Sequence, residues 1–133
     1  MFFDGAAAAF RGALHEAGVT VSDLDLLETH DCFTQAELMQ YEAFGLAEHG
    51  KGPLVLEEGT TYRGGALPTN ISGGLKAKGH PLGATGVSQH VMAAMQLTGE
   101  AGEMQLDTVD RVAVFNMGGV AVANYATVLE RTR

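Results

Sequence analysis

Three short segments of this sequence concentrate groups able to move protons or attack a carbonyl: His30-Asp31-Cys32-Phe33, Gly79-His80-Pro81 and Asn116-Met117-Gly118-Gly119. Cys32 is the single cysteine of the chain. Beside a helix N-terminus its thiolate is favoured by the positive end of the dipole, which makes it a nucleophile or a proton carrier. A buried, unreactive thiol fits the same position, since cysteine is among the most buried residue types. His80, between a glycine and a proline, is placed as a rigid acid, base or oxyanion donor. A solvated histidine in a glycine loop is the plainer alternative. His15 and His49 read as solvated positions and His90 as a helix-face residue. His30, Cys32 and His80 have the right types for a metal but match no zinc spacing, so no metal is expected.

The composition changes around His80. The chain has 133 residues, with 16 Asp and Glu against 8 Lys and Arg, for a formal charge of −8. Those acids stop at Glu58 and resume at Glu100, so 59–99 holds none. That stretch still carries Arg63, Lys76, Lys78, His80 and His90. It is also rich in glycine, including Gly73 and Gly74. Glycines let backbone N–H groups come close to a ligand, and a helix opening near Gly83–Gly86 offers free N–H groups to an anion. One reading is therefore a local site for an anionic ligand. The other is a turn-rich loop that lacks acids.

Composition also excludes functions. Net acidity disfavours a general nucleic-acid binder, which needs a basic face to displace phosphate counterions. One cysteine rules out an intrachain disulfide framework. No apolar run approaches the roughly 20 residues of a membrane span, and no signal-peptide pattern opens the chain. The expectation is a cytoplasmic protein with a free thiol. Its length suits one domain, residues 1–133, large enough to bury a core.

The elements that must position these groups follow from periodicity. Phe3, Ala7, Phe10, Leu14 and Ala17 mark one helix face, with Gly18 placed to end it. Leu24–Thr29 reads as a short buried strand. Thr34 and Glu37 have capping-box spacing, predicting a helix from Phe33–Thr34 to about Leu46. The segments from His49 to Leu56 and from Gly59 to Gly65 look turn-rich. A third helix runs from near Gly83 to before Gly99, and Gly99–Asp110 is a polar connector. Arg111–Met117 and Val120–Leu129 read as strands joined by a tight turn at Gly118-Gly119, an antiparallel hairpin. The fold class is α/β, a layered fold with a mixed sheet covered by helices.

Together, HDCF at 30–33, NISGGLKAKGHPLGATG at 70–86 and NMGG at 116–119 resemble, in order, the C-terminal part of thiolases. The branch they are most similar to is the sterol-carrier-protein-2-type, lipid-transfer-protein-like one. The likeness runs from about Phe3 to Arg131. It implies a thiolase-type layered fold, its C-terminal half only, and Claisen chemistry on coenzyme A thioesters. CoA would be a substrate, with no tightly bound cofactor. His80, from GHP, would activate the nucleophilic cysteine and help bind the thioester oxygen. His30 would take an oxyanion-hole position often held by asparagine, and Cys32 the proton-transfer role. Asn116, Gly118 and Gly119 would contribute to a second oxyanion hole through backbone groups. Polyanionic CoA suits the acid-free window with Arg63, Lys76, Lys78, Gly73 and Gly74.

The sequence departs from a complete thiolase in one respect. Such an enzyme uses an acylated cysteine from an N-terminal half as well as an acid/base cysteine, and this chain has Cys32 alone. The implied partners are acyl-CoA or CoA and a thiolase N-terminal half or partner subunit, in a homo- or hetero-oligomer. No nucleic acid and no membrane span are expected. The chain is expected to be inactive by itself. Two alternatives stay open: a thiolase-like retro-aldolase acting on CoA esters, and a non-enzymatic acyl-CoA-binding or assembly module.

Overall fold

A computed structural model describes residues 3–132. The first helix, α1 (Asp4–Ala17), buries Ala6, Ala7, Phe10 and Leu14, and Gly18 ends it in the left-handed conformation (φ 69°). Next come β1 (Leu26–Glu28), α2 (Thr34–Ala43), α3 (Gly52–Glu57), α4 (Gly74–Lys78) and α5 (Thr85–Thr98). The described chain closes with β2 (Arg111–Gly118) and β3 (Ala123–Glu130).

The sheet order is β1-β2-β3, with β1 parallel and β3 antiparallel to β2. Its two faces bury different residues, because side chains alternate along a strand. Leu27, Ala113, Phe115 and Met117 join Phe3, Phe10, Leu14 and Phe44 on the α1 side. Leu26, Val112 and Val114 meet Ala93 and Leu97 of α5, with Leu106 and Val109, on the other. Helices therefore cover both faces of a mixed sheet.

Four local expectations need correction. Thr34 does not cap α2: the N-cap is Phe33, without a side-chain cap, and Glu37 instead accepts a hydrogen bond from the Tyr41 hydroxyl (2.5 Å). The His49–Leu56 stretch contains α3, which Pro53 starts with a preset φ and whose first N–H, on Gly52, is satisfied by Glu42 (3.0 Å). The glycine window contains α4, too short to show periodicity in sequence. The β2–β3 turn is longer than Gly118-Gly119. Gly118 still pairs with Ala123, and Gly119, Val120 and Ala121 turn the chain with successive positive φ values.

Candidate active site

The site sits at the carboxyl ends of the parallel strands, where α/β sheets gather their ligands. Leu26 pairs with Val112 and Glu28 with Val114. Two residues further along these rows stand His30 and Asn116, whose side chains meet: His30 Nδ1 lies 2.6 Å from Asn116 Oδ1. Gln40 of α2 fixes the same junction from below. Its amide donates to the His30 carbonyl (2.8 Å), and its oxygen accepts from the Thr29 hydroxyl (2.5 Å).

The link from this junction to the glycine window is Asp31. Its carboxylate accepts from the backbone N–H groups of Leu75 (2.7 Å) and Lys76 (3.4 Å), and so caps α4. The approach needs a glycine: at Gly74 (φ 59°) a Cβ would lie 2.3 Å from an Asp31 oxygen. From α4 the chain reaches His80, whose ring packs edge-on against His30, centroids 4.8 Å apart. His80 Nδ1 is 2.7 Å from the hydroxyl of Thr85, the first residue of α5.

His30, Cys32, His80, Asn116, Gly118 and Gly119 line one cleft of about 970 Å³. Much of its remaining wall is apolar, including Phe33, Leu82, Val87, Val120 and Tyr125. His15 and His49 do not line it, and His49 lies 3.1 Å from Glu42. Both histidines of the centre use Nδ1 within the fold, which leaves Nε2 as the ring nitrogen free for a reacting atom.

Electrostatics bear on the two readings of Cys32. Burial pushes the Cys32 thiol up, and backbone N–H groups of Phe33 and of Cys32 itself offset this only partly. The thiolate is thereby disfavoured, so the surroundings of Cys32 lean toward the thiol. Burial also pulls the His30 pKa below its ordinary value; the bond to Asn116 opposes this, and the neighbouring His80 adds to it. The imidazolium of His30 is thereby disfavoured.

The five residues placed around an anion do not line the cleft. Gly74 makes room for Asp31, and a Cβ on Gly73 would meet Ala77 at 2.6 Å. Arg63 donates to the carbonyls of Glu103 (3.1 Å) and Gln105 (2.5 Å). Lys78 bonds the Ser72 hydroxyl (2.7 Å), which in turn bonds buried Glu28 (2.9 Å). Lys76 reaches the Cys32 carbonyl (3.3 Å), nearest to the centre of the five. The window empty of acids in sequence is supplied with Glu28 and Asp31 in space.

Sequence reasoning missed Thr85, Gln40, Asp31 and the cleft position of His90. His90 bonds the Gly86 carbonyl (2.7 Å) and the Thr127 hydroxyl (3.2 Å) while lining the cleft. A hydroxyl five residues after His80, at a helix start, was the one available signal. Among the described residues no group of three or more His, Cys, Asp or Glu is placed to hold a metal ion.

Residues 1–131 match the family model described as thiolase C-terminal domain-like. The chain belongs to that family. It is 43% identical to the acetyl-CoA acetyltransferase of Methanothermobacter thermautotrophicus over 87% of this chain and 30% of that one. It is 42% identical to sterol carrier protein 2 of Homo sapiens, over 87% of this chain and 21% of the relative. The benzoylsuccinyl-CoA thiolase subunit BbsB of Thauera aromatica is 36% identical over 78% of this chain and 27% of its own length. The chain thus spans under a third of these curated relatives. In the solved Ltp2-ChsH2(DUF35) aldolase the same fold recurs at a TM-score of 0.81 and 23% identity, over 95% of this chain and 31% of that one. The mixed sheet with helices on both faces is the thiolase C-terminal fold. No helix among the described residues is long and apolar enough to cross a membrane.

Proposed function

We propose that this thiolase C-terminal-like domain supplies the proton-transfer and oxyanion side of a site that makes or breaks a carbon–carbon bond in CoA thioesters. The carrying observation is the convergence of His30, hydrogen-bonded to Asn116 and packed edge-on against His80, on the cleft that Cys32 also lines. Cleaving a 3-ketoacyl-CoA between C2 and C3 leaves an electron pair at C2 and charge on the thioester oxygen. Preplaced donors must stabilise that oxygen, and an acid must protonate the carbon. Cys32, kept as a thiol by burial, is the acid that hands its proton to C2. Nε2 of His80 faces that oxygen as the donor, His30 packs edge-on against the His80 ring, and the backbone around Gly118-Gly119 serves a second oxyanion hole.

The acyl group released at C3 needs a second nucleophile, which Cys32 cannot also be. The proposal therefore includes a thiolase N-terminal half, from another segment or subunit, that brings a nucleophilic cysteine to take the acyl group from C3 and pass it to CoA. The exposed side chains of Phe33, Leu82, Val87 and Val120 around the cleft suit such a cover.

The test is acetoacetyl-CoA cleavage by the chain alone and with a thiolase N-terminal half, each with and without free CoA. The expected result is CoA-dependent cleavage only with both parts, lost in His80→Ala. Thiolysis by the chain alone would refute the division of labour. CoA-independent cleavage of a 3-hydroxyacyl-CoA between C2 and C3, with acetoacetyl-CoA left intact, would point instead to aldol chemistry, the reaction named for the Ltp2-ChsH2 relative.

A further inference from the structure

The two histidines of the cleft have different kinds of Nδ1 partner. His30 faces an amide, which is either an acceptor or a donor at a given atom and exchanges the two only by turning over. His80 faces a hydroxyl, which accepts and donates at the same atom. Thr85 is buried, and its hydroxyl proton has two alternative acceptors: His80 Nδ1 at 2.7 Å and the Pro81 carbonyl at 3.3 Å. That carbonyl already accepts from the N–H groups of Ala84 (3.0 Å) and Thr85 (3.2 Å), so it stays satisfied when the hydroxyl turns away.

We infer that Thr85 is a positioning residue for His80: its hydroxyl turns between the Pro81 carbonyl and His80 Nδ1, so that His80 can offer the cleft either an Nε2 lone pair or an Nε2–H, while Asn116 holds His30 in one tautomer. With the hydroxyl on Pro81, Thr85 accepts from Nδ1–H, and Nε2 is a base. The same orientation serves the imidazolium formed when Nε2 takes a proton. With the hydroxyl on Nδ1, the neutral ring carries its proton on Nε2 and donates to an oxyanion. The two orientations differ by the long bond to Pro81. One ring thereby meets both demands placed on His80, base and oxyanion donor, in a fixed position. Carboxylate or methyl in place of the hydroxyl would support only part of this set.

The inference rests on the role proposed for His80, but its test reads the ring itself. The full chain, labelled with nitrogen-15, is examined by long-range proton–nitrogen NMR at a pH where the histidines are neutral. In the wild type His80 should show nitrogen shifts averaged between two tautomers, and His30 those of one. Thr85→Val keeps the shape and removes the hydroxyl, so His80 should move to the Nε2–H tautomer, with Nδ1 at the unprotonated position. Thr85→Ser should restore the averaged shifts, and His30 should stay unchanged in both variants. A single tautomer of His80 in the wild type, or unaltered His80 shifts in Thr85→Val, overturns the inference. Absence of CoA-dependent cleavage with averaged His80 shifts intact would defeat the proposed reaction and leave the role of Thr85 standing.

Discussion

The two faces of the sheet are built differently. On the α1 side an aromatic stack closes the core within the chain: Phe10 lies on Phe44 with centroids 4.0 Å apart, and Phe44 meets Phe115 at 5.0 Å. On the α5 side aliphatic contacts are supplemented by buried polar side chains. Gln89 donates to the Phe115 carbonyl (3.1 Å), Gln96 holds Met104 and Leu106, and Glu28 is buried. The outer face of α5 leaves Val87 and Val91 exposed. Dispersion and apolar burial supply stability on the first face, whereas directional bonds set positions on the second. His30 and Asn116 continue the strand rows that face this second side. Precise placement of Nδ1 and Nε2 needs hydrogen bonds of fixed direction, which an apolar core does not provide.

The largest expected effect comes from breaking the aromatic face. Phe44→Ala should cost about 3–5 kcal/mol, by loss of burial and a cavity between Phe10 and Phe115. Chemical denaturation measures it; a loss below 1 kcal/mol would mean that the α1 side is not the stabilising half.

On the polar face, Gln96→Ala removes a donor to the Met104 carbonyl (2.7 Å) and an acceptor of the Leu106 N–H (3.0 Å). Leaving these partners without a mate should cost roughly 2–3 kcal/mol, measured in the same way. An unchanged midpoint would show that the bonds do not hold α5.

Glu28 sharpens the contrast through pH. Burial raises its pKa above the ordinary value, against the hydrogen bond from Ser72 and the charge of Lys78. The folded state therefore binds the proton more tightly than the unfolded one. The contribution of Glu28 to stability is fully present below the ordinary carboxylate pKa and is lost as pH rises through the raised one. Glu28→Gln should remove this contribution, flattening the stability profile from weakly acidic to neutral pH. An identical slope in wild type and variant would place the titration elsewhere.

The smallest effect on folding is expected outside α5. Val91→Lys should change stability by no more than about 0.5 kcal/mol, since the side chain is exposed. It should weaken binding to a thiolase N-terminal half, read by light scattering or a titration. Unaltered association would move the covered surface away from this helix.

The sequence by itself determined what depends on local period and residue chemistry. The spacing of Phe3 to Ala17 made a helix, Gly18 stopped it, and three motifs marked the site without alignment of the chain against itself. Elements shorter than their own period, such as α4, left no such trace. Tertiary structure decided everything that depends on who neighbours whom across many residues. The parallel register of β1 and β2 brings His30 to Asn116, 86 residues away. Asp31 takes the N–H groups of α4, in a window that by charge alone holds no acid. Burial disfavours the thiolate of Cys32, where position beside a helix left a thiolate and an unreactive thiol both open. Charge, burial and hydrogen-bond direction are properties of the packed surroundings, and the surroundings of each of these groups come from distant parts of the chain.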